Sequence, residues 1–355
     1  MKRYLLLVIL FVSISQYAFS QGCIAIKNMS CGISSLDNSP KTWQFTANYR
    51  YFRSYRHFSG TEEHPDRVAN NTEVINNDNS LIIGGTYTIN NRWTVSASVP
   101  FIYIDRSSLY EHDRINRYHS SSHGLGDIRL MGYYSSRLFS GKSSVMYGLG
   151  FKLPTGNYNF KDDFHTVNGI ERRPVDQSIQ PGDGGLGVVT EINLGHHLSE
   201  QWTLYANALY MFNSRNTNGT RTFRETLSPI LANEAIMSVP DQYMVRLGAQ
   251  FSVKGKLGLS LGGRIEGIPV RDAIGKSDGF RRPGYIVSVE PGVTYQHGPH
   301  SFNVNVPFAL VRNRQQSVTD RETEIATGNP RHGDAAFADY LLSLTYAYKL
   351  SKKVF

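Results

Sequence analysis

Cysteine is nearly missing from this chain: two residues in 355, Cys23 and Cys31, both close to the N-terminus. A metal site built on that pair would lack nearby partner ligands. Long apolar runs are missing too. After the first residues no stretch approaches the roughly 20 apolar residues that a membrane-spanning helix needs, which excludes a helical membrane protein. The mean hydropathy is negative, −0.34. The formal charge is +8, yet neither a basic helix nor an aromatic RNA-binding platform is present, so nucleic acid is not the expected partner. Anionic lipopolysaccharide or an anionic solute suits the charge better.

The N-terminus reads Met1-Lys2-Arg3, an apolar run from Tyr4 to Val12, then Ala18-Phe19-Ser20. A basic head, a short apolar core and small residues at −3 and −1 make a secretory signal, with cleavage expected after Ser20. Residues 21–40 would then be a periplasmic segment and 41–355 the folded domain. In an oxidising periplasm Cys23 and Cys31 are expected to form an intramolecular disulfide. Acylation of Cys23 is the rival, weakened because Ser20-Gln21-Gly22 lacks the usual apolar residue three positions before the cysteine.

What is abundant is Gly (32), Tyr (21) and Phe (18), and their arrangement decides the fold class. From Trp43 the apolar side chains fall on odd positions through Phe45, Ala47, Tyr49 and Tyr51, with Gln44, Thr46, Asn48 and Arg50 between them. A period of two is a strand with one apolar and one wet face. The pattern recurs along the chain, for instance at Trp93–Tyr103, Val145–Leu153, Trp202–Phe212, Phe302–Leu310 and Tyr340–Leu350. Short turns near Asn90-Asn91, Ser140-Gly141, His196–Gln201, Gly255 and Gly298-Pro299 alternate with long polar loops near 59–78, 106–123, 156–182, 215–240, 269–283 and 315–333. That alternation predicts an all-β, antiparallel up-and-down transmembrane β-barrel of about twelve strands in a bacterial outer membrane, both termini periplasmic. A soluble β-sandwich would not need apolar rows this regular. Aromatics near both ends of many rows fit interfacial girdles. Phe355 ends the chain, as an aromatic read by the assembly machinery would, although its parity is opposite to the last apolar row.

Gly124-Leu125-Gly126-Asp127-Ile128, a strand, a short turn, then Gly148-Leu149-Gly150-Phe151-Lys152-Leu153-Pro154-Thr155-Gly156 resembles the outer-membrane barrels named for the MetA pathway of phenol degradation. Pro181-Gly182-Asp183-Gly184-Gly185-Leu186-Gly187 and Tyr210-Met211-Phe212-Asn213 continue the likeness. The resemblance implies a barrel and uptake of small aromatic compounds; it brings no catalytic residues.

Two motifs suggest chemistry. Gly258-Leu259-Ser260-Leu261-Gly262 matches a nucleophile elbow, but lies inside an alternating strand instead of a strand-to-helix turn. Glu111, His112, Asp113, His119 and His123 crowd one loop, at spacings of no standard metal site. The inward rows are more informative: Arg50, Arg129, Lys152, Glu191, Arg246, Lys254, Arg264, Glu266, Glu290 and Lys349. On the lipid face a mid-depth Arg or Lys would cost about 2–4 kcal/mol, so these residues belong in the lumen. Arg50, Arg129, Lys152, Glu191, Arg246, Arg264, Glu266 and Glu290 are the candidate selectivity residues, either a net-basic, anion-preferring channel wall or a plug of internal ion pairs. The expected function is a channel or transporter for a small solute, aromatic or anionic. A closed structural or surface-interaction barrel is the first alternative, and a barrel-embedded lipid hydrolase the second. No enzyme, cofactor or metal is expected.

Overall fold

The computed structural model describes residues 39–138, 141–222, 233–253 and 255–351. The signal segment, Cys23, Cys31, Lys254 and Phe355 lie outside the described residues.

Period-two alternation becomes twelve antiparallel strands closed into one barrel. They are β1 (Thr42–Ser59), β2 (Ile75–Thr88), β3 (Trp93–Ser108), β4 (Tyr118–Leu125 continued by Arg129–Leu138), β5 (Ser143–Lys152) and β6 (Gly187–His197). Then follow β7 (Trp202–Asn213), β8 (Gln242–Val253), β9 (Leu257–Ile268), β10 (Gly284–His297), β11 (His300–Asn305 continued by Phe308–Arg314) and β12 (Ala335–Ser351). Each strand pairs with its sequence neighbours, and β12 returns to β1 from Thr42↔Ser351 to Phe58↔Ala335. Closure removes the edge whose N–H and C=O groups hydrocarbon could not satisfy.

The burial pattern is inside out. Trp43, Phe45 and Trp93 are 45%, 48% and 52% exposed, while Asn48, Arg50 and Ser343 are 1%, 1% and 0% exposed. An apolar exterior around a polar interior is the solution for a barrel in lipid. All three tryptophans stand at the short-turn end, each against an aromatic of the next strand: Trp43 on Tyr87 at 4.7 Å, Trp93 on Tyr134 at 5.1 Å, Trp202 on Phe251 at 5.0 Å. From Trp93 to Tyr103 the outer row covers about 33 Å of strand, or about 25 Å along the barrel axis at the usual tilt, which matches an apolar band.

Two strands are interrupted. β4 kinks at residues 126–128, where Gly126 N–H still reaches Pro100 O. β11 breaks at Val306-Pro307, and Pro307 can donate nothing to a ladder.

The strands also run further than the alternation predicts. Residues 75–78, 106–108 and 118–123, read as loop, are paired strand, as in Asn76↔Arg106 and Ser107↔His119. Beyond the lipid the outer face of such a hairpin meets water and the inner face carries buried polar residues, Asn76, Arg106, Ser120 and Ser122, so no apolar row marks it. The other long connections carry their own structure: the hairpin Lys161–Thr166/Gly169–Pro174, the pair Thr217–Arg221/Ile236–Ser238, and the helix Val318–Thr327 capped by Ser317.

Candidate functional site

The inward charged row is present, and most of it is held in ion pairs. Arg50, Lys152, Arg246, Arg264, Glu266 and Glu290 are all buried in the lumen. Arg246 and Arg264 face each other across β8 and β9. Like charges so placed need a shared counter-ion, and Glu290 on β10 supplies it, 2.5 Å from Arg246 and 3.9 Å from Arg264. Arg264 also holds Glu266 at 2.5 Å, two residues along the same face. Lys152 pairs with Asp183 and lies 3.9 Å from Asp127. Glu191 accepts from Tyr133 (3.1 Å), Asn193 (2.9 Å) and Asn207 (3.2 Å). Arg129 points inward opposite Lys152, with no carboxylate within ion-pair distance among the described residues.

Part of the inner wall is apolar, which the alternation concealed. Met131, Val189, Leu209, Met211 and Met244 form a buried cluster with Tyr133 against it. They occupy the inward positions of β4, β6, β7 and β8. The signal for them was a failure of alternation, since Val188-Val189 and Leu209-Tyr210-Met211-Phe212 are apolar on both faces. Methionine is flexible and polarisable, and adapts to aromatic rings.

The long-loop end is crossed by a strap, residues 175–183, from the connection between β5 and β6. Ile102 and Ile104 point inward from β3 and pack on Phe164, Val175 and Ile179, fixing one side of the strap to that wall. Ser122 of β4 donates to Ile179 O. Asp176 caps the turn Gln177–Ile179 and sits 3.7 Å from Arg106 of β3. It also takes both Nη groups of Arg282 at 2.7 and 2.8 Å. Burial alone would raise the Asp176 carboxyl, but Arg106 and Arg282 outweigh it and hold the group well below the usual carboxylate range. Beneath the strap is a cavity of about 60 Å³, lined by Gln177 and Gln180 from the strap and by Lys152, Met211, Met237 and Ile268. It joins the apolar wall to the charged row.

The glycine-rich motifs meet where this strap is anchored. Asp127 accepts Gly156 N–H at 2.9 Å and Asp183 N–H at 3.1 Å. A Cβ on Gly182 would stand 2.6 Å from Gly156 O, so only glycine permits this backbone contact. Residues far apart in sequence thus form one clasp.

The remaining candidates are dispersed. Glu111 binds Arg106 at 2.7 Å, His119 faces Asp105 at 2.9 Å, and His123 lies edge-on to Phe160. His112 accepts His165 N–H and stacks on Phe164, and burial pushes its imidazole pKa down. Asp113 is held down to about 2 by the Asn116 and Ile115 N–H groups. Ser260 lies mid-strand in β9, opposite Gln250 and Gly292.

No curated protein matches this chain. Among solved structures, the COG4313 outer membrane channel from Pseudomonas putida F1 superimposes with a TM-score of 0.60 at 13% identity, covering 92% of this chain and 99% of that one. At that identity the likeness shows the fold, an outer-membrane barrel. The Ralstonia pickettii toluene transporter TbuX is similar at a TM-score of 0.42 and 9% identity, covering 88% of this chain and 90% of that one, too distant to carry an argument. The model of one protein family matches residues 86–321, the stretch that holds the clasp, the strap and most of the inner wall, and the chain belongs to that family, described as "Putative MetA-pathway of phenol degradation".

Proposed function

We propose that this protein is an outer-membrane channel or transporter for a small solute with an apolar, aromatic body and a hydrogen-bonding group. The observation that carries the reading is the two-sided lumen: Met131, Val189, Leu209, Met211 and Met244 on one part of the wall, a charged row on the other. The cavity under the strap borders both through Met211 and Lys152. Pairing of Arg246 and Arg264 with Glu266 and Glu290 leaves little excess charge there, which favours an aromatic over an anionic solute. The long loops face outside, both termini face the periplasm, and lipopolysaccharide and outer-membrane lipids cover the apolar exterior after insertion by the assembly machinery.

In liposomes, flux of a phenol-sized aromatic should exceed that of an equally small sugar. Met211→Gln puts an amide on the apolar wall and should lower aromatic flux on the order of tenfold, with ion conductance kept. Equal flux of sugar and aromatic, unchanged by the substitution, would sink the reading.

A lipid hydrolase gains little support. Ser143 Oγ is 2.7 Å from His196 Nδ1, but this cross-strand pair sits at the short-turn end, and no carboxylate orients His196 among the described residues. A closed structural barrel is favoured by one observation, the strap across the mouth, which is taken up next.

A further inference from the structure

We propose that the long-loop mouth is gated along a seam across its diameter, and that the Arg282–Asp176 ion pair is the latch that holds it shut. The proposal rests on the channel reading above. Its geometry comes from the closed ring. Arg106 belongs to β3, and Arg282 to the connection between β9 and β10. In a ring of twelve strands these positions lie half a circumference apart. A single carboxylate within 3.7 Å of one guanidinium and 2.7 Å of the other therefore lies near the axis of the mouth. The chain Arg106–Asp176–Arg282 spans it from wall to wall.

The two banks of this bridge are built differently. On the β3 side the strap is held by apolar packing of Phe164, Val175 and Ile179 against Ile102 and Ile104. Water cannot replace those contacts. On the opposite side the contacts from the strap's first residues are polar: Asp176 to Arg282, and Gln177 Nε2 to Ser238 O at 2.7 Å. Ser238 and Phe280 are joined backbone to backbone, so this bank moves as one piece. Arg282 also borders an outer vestibule of about 430 Å³, whose water can take over the polar contacts when they part. Stacking over Phe280 at 4.7 Å keeps the released guanidinium in place to reclose. The banks stay tied at one end, where Asn218 donates to Asp183 O beside the glycine clasp. The seam opens from Asp176 outward, toward the 60 Å³ cavity below.

Single-channel recording in planar bilayers tests this. Wild type should show low conductance with brief openings, and Arg282→Ala should raise the open fraction on the order of tenfold, as expected for loss of a two-point charged hydrogen bond. Asp176→Asn reads the same latch from the other side if the first variant folds poorly, and retained β-sheet signal certifies either. Arg282→Lys, charged but unable to fork, should fall between. Arg172→Ala, on an exposed hairpin, should match wild type. An unchanged open fraction in both latch variants overturns the gate. If aromatic flux persists in that case, the channel reading stands without it. Neither flux nor conductance in any variant overturns both.

Discussion

At the scale of single residues the lumen is held by charges that balance one another. Arg264 has no exposed side-chain surface, and it serves both Glu266 and Glu290. Removing it takes the guanidinium at 2.5 Å away from buried Glu266, and truncating one side of a buried ion pair costs about 3–5 kcal/mol. Arg264→Met should therefore lower the unfolding free energy in denaturant by about that much. Arg264→Met combined with Glu266→Gln should recover most of the loss, because Glu290 keeps Arg246. A double variant as unstable as the single one would show that the loss does not come from the Arg264–Glu266 pair. The inward position of Arg264 is legible from its apolar neighbours Leu261 and Ile265. Its partner on β10 is not, because the register between β9 and β10 places Arg264 opposite Ser288 and puts Glu290 one diagonal away.

At the scale of elements the clasp gives the short glycine motifs of this chain a structural role. Gly156, Gly182 and Asp127 bring the end of β5, the strap and the kink of β4 into backbone contact. Gly182→Ala would drive a methyl to 2.6 Å from Gly156 O and 2.8 Å from Asp127 Oδ1. The expected cost is about 1–3 kcal/mol of overpacking, seen as faster proteolysis within residues 157–180 of an otherwise folded barrel. Gly263→Ala is the control, since its added methyl meets open space on the outer face. Equal proteolysis of the two variants would remove the clasp as the anchor of the strap. The motif was visible in the sequence, but its meaning was not. Nothing in Gly124–Asp127 or Pro181–Gly187 says that they touch. The strap's latch was less legible still, because Arg106, Asp176 and Arg282 lie in stretches crowded with other polar and charged residues.

At the scale of the whole molecule the proposed orientation predicts which connections an external reagent reaches. Ile115 is 77% exposed at the tip of the hairpin joining β3 and β4, and Asn91 is exposed in the turn joining β2 and β3. On intact cells an impermeant thiol reagent should label Ile115→Cys, and should label Asn91→Cys only after the outer membrane is opened. The reverse pattern would invert the barrel and put the strap on the periplasmic side.

Twelve strands, their outer faces and the two classes of connection followed from the sequence alone. Each is a local consequence of a chain that must present one apolar face to lipid while its turns stay in water, and a period of two records that demand residue by residue. The tertiary structure decided which inward residues meet. Closing the ring brings β12 to β1, sets β3 against the β9–β10 connection, and lets a loop from between β5 and β6 join Arg106 to Arg282. The lumen imposes no periodic pattern, since an inward side chain answers to partners across the barrel and not to its neighbours in sequence. So the lipid-facing half of this protein could be read along the chain, and the contacts made inside the lumen could not.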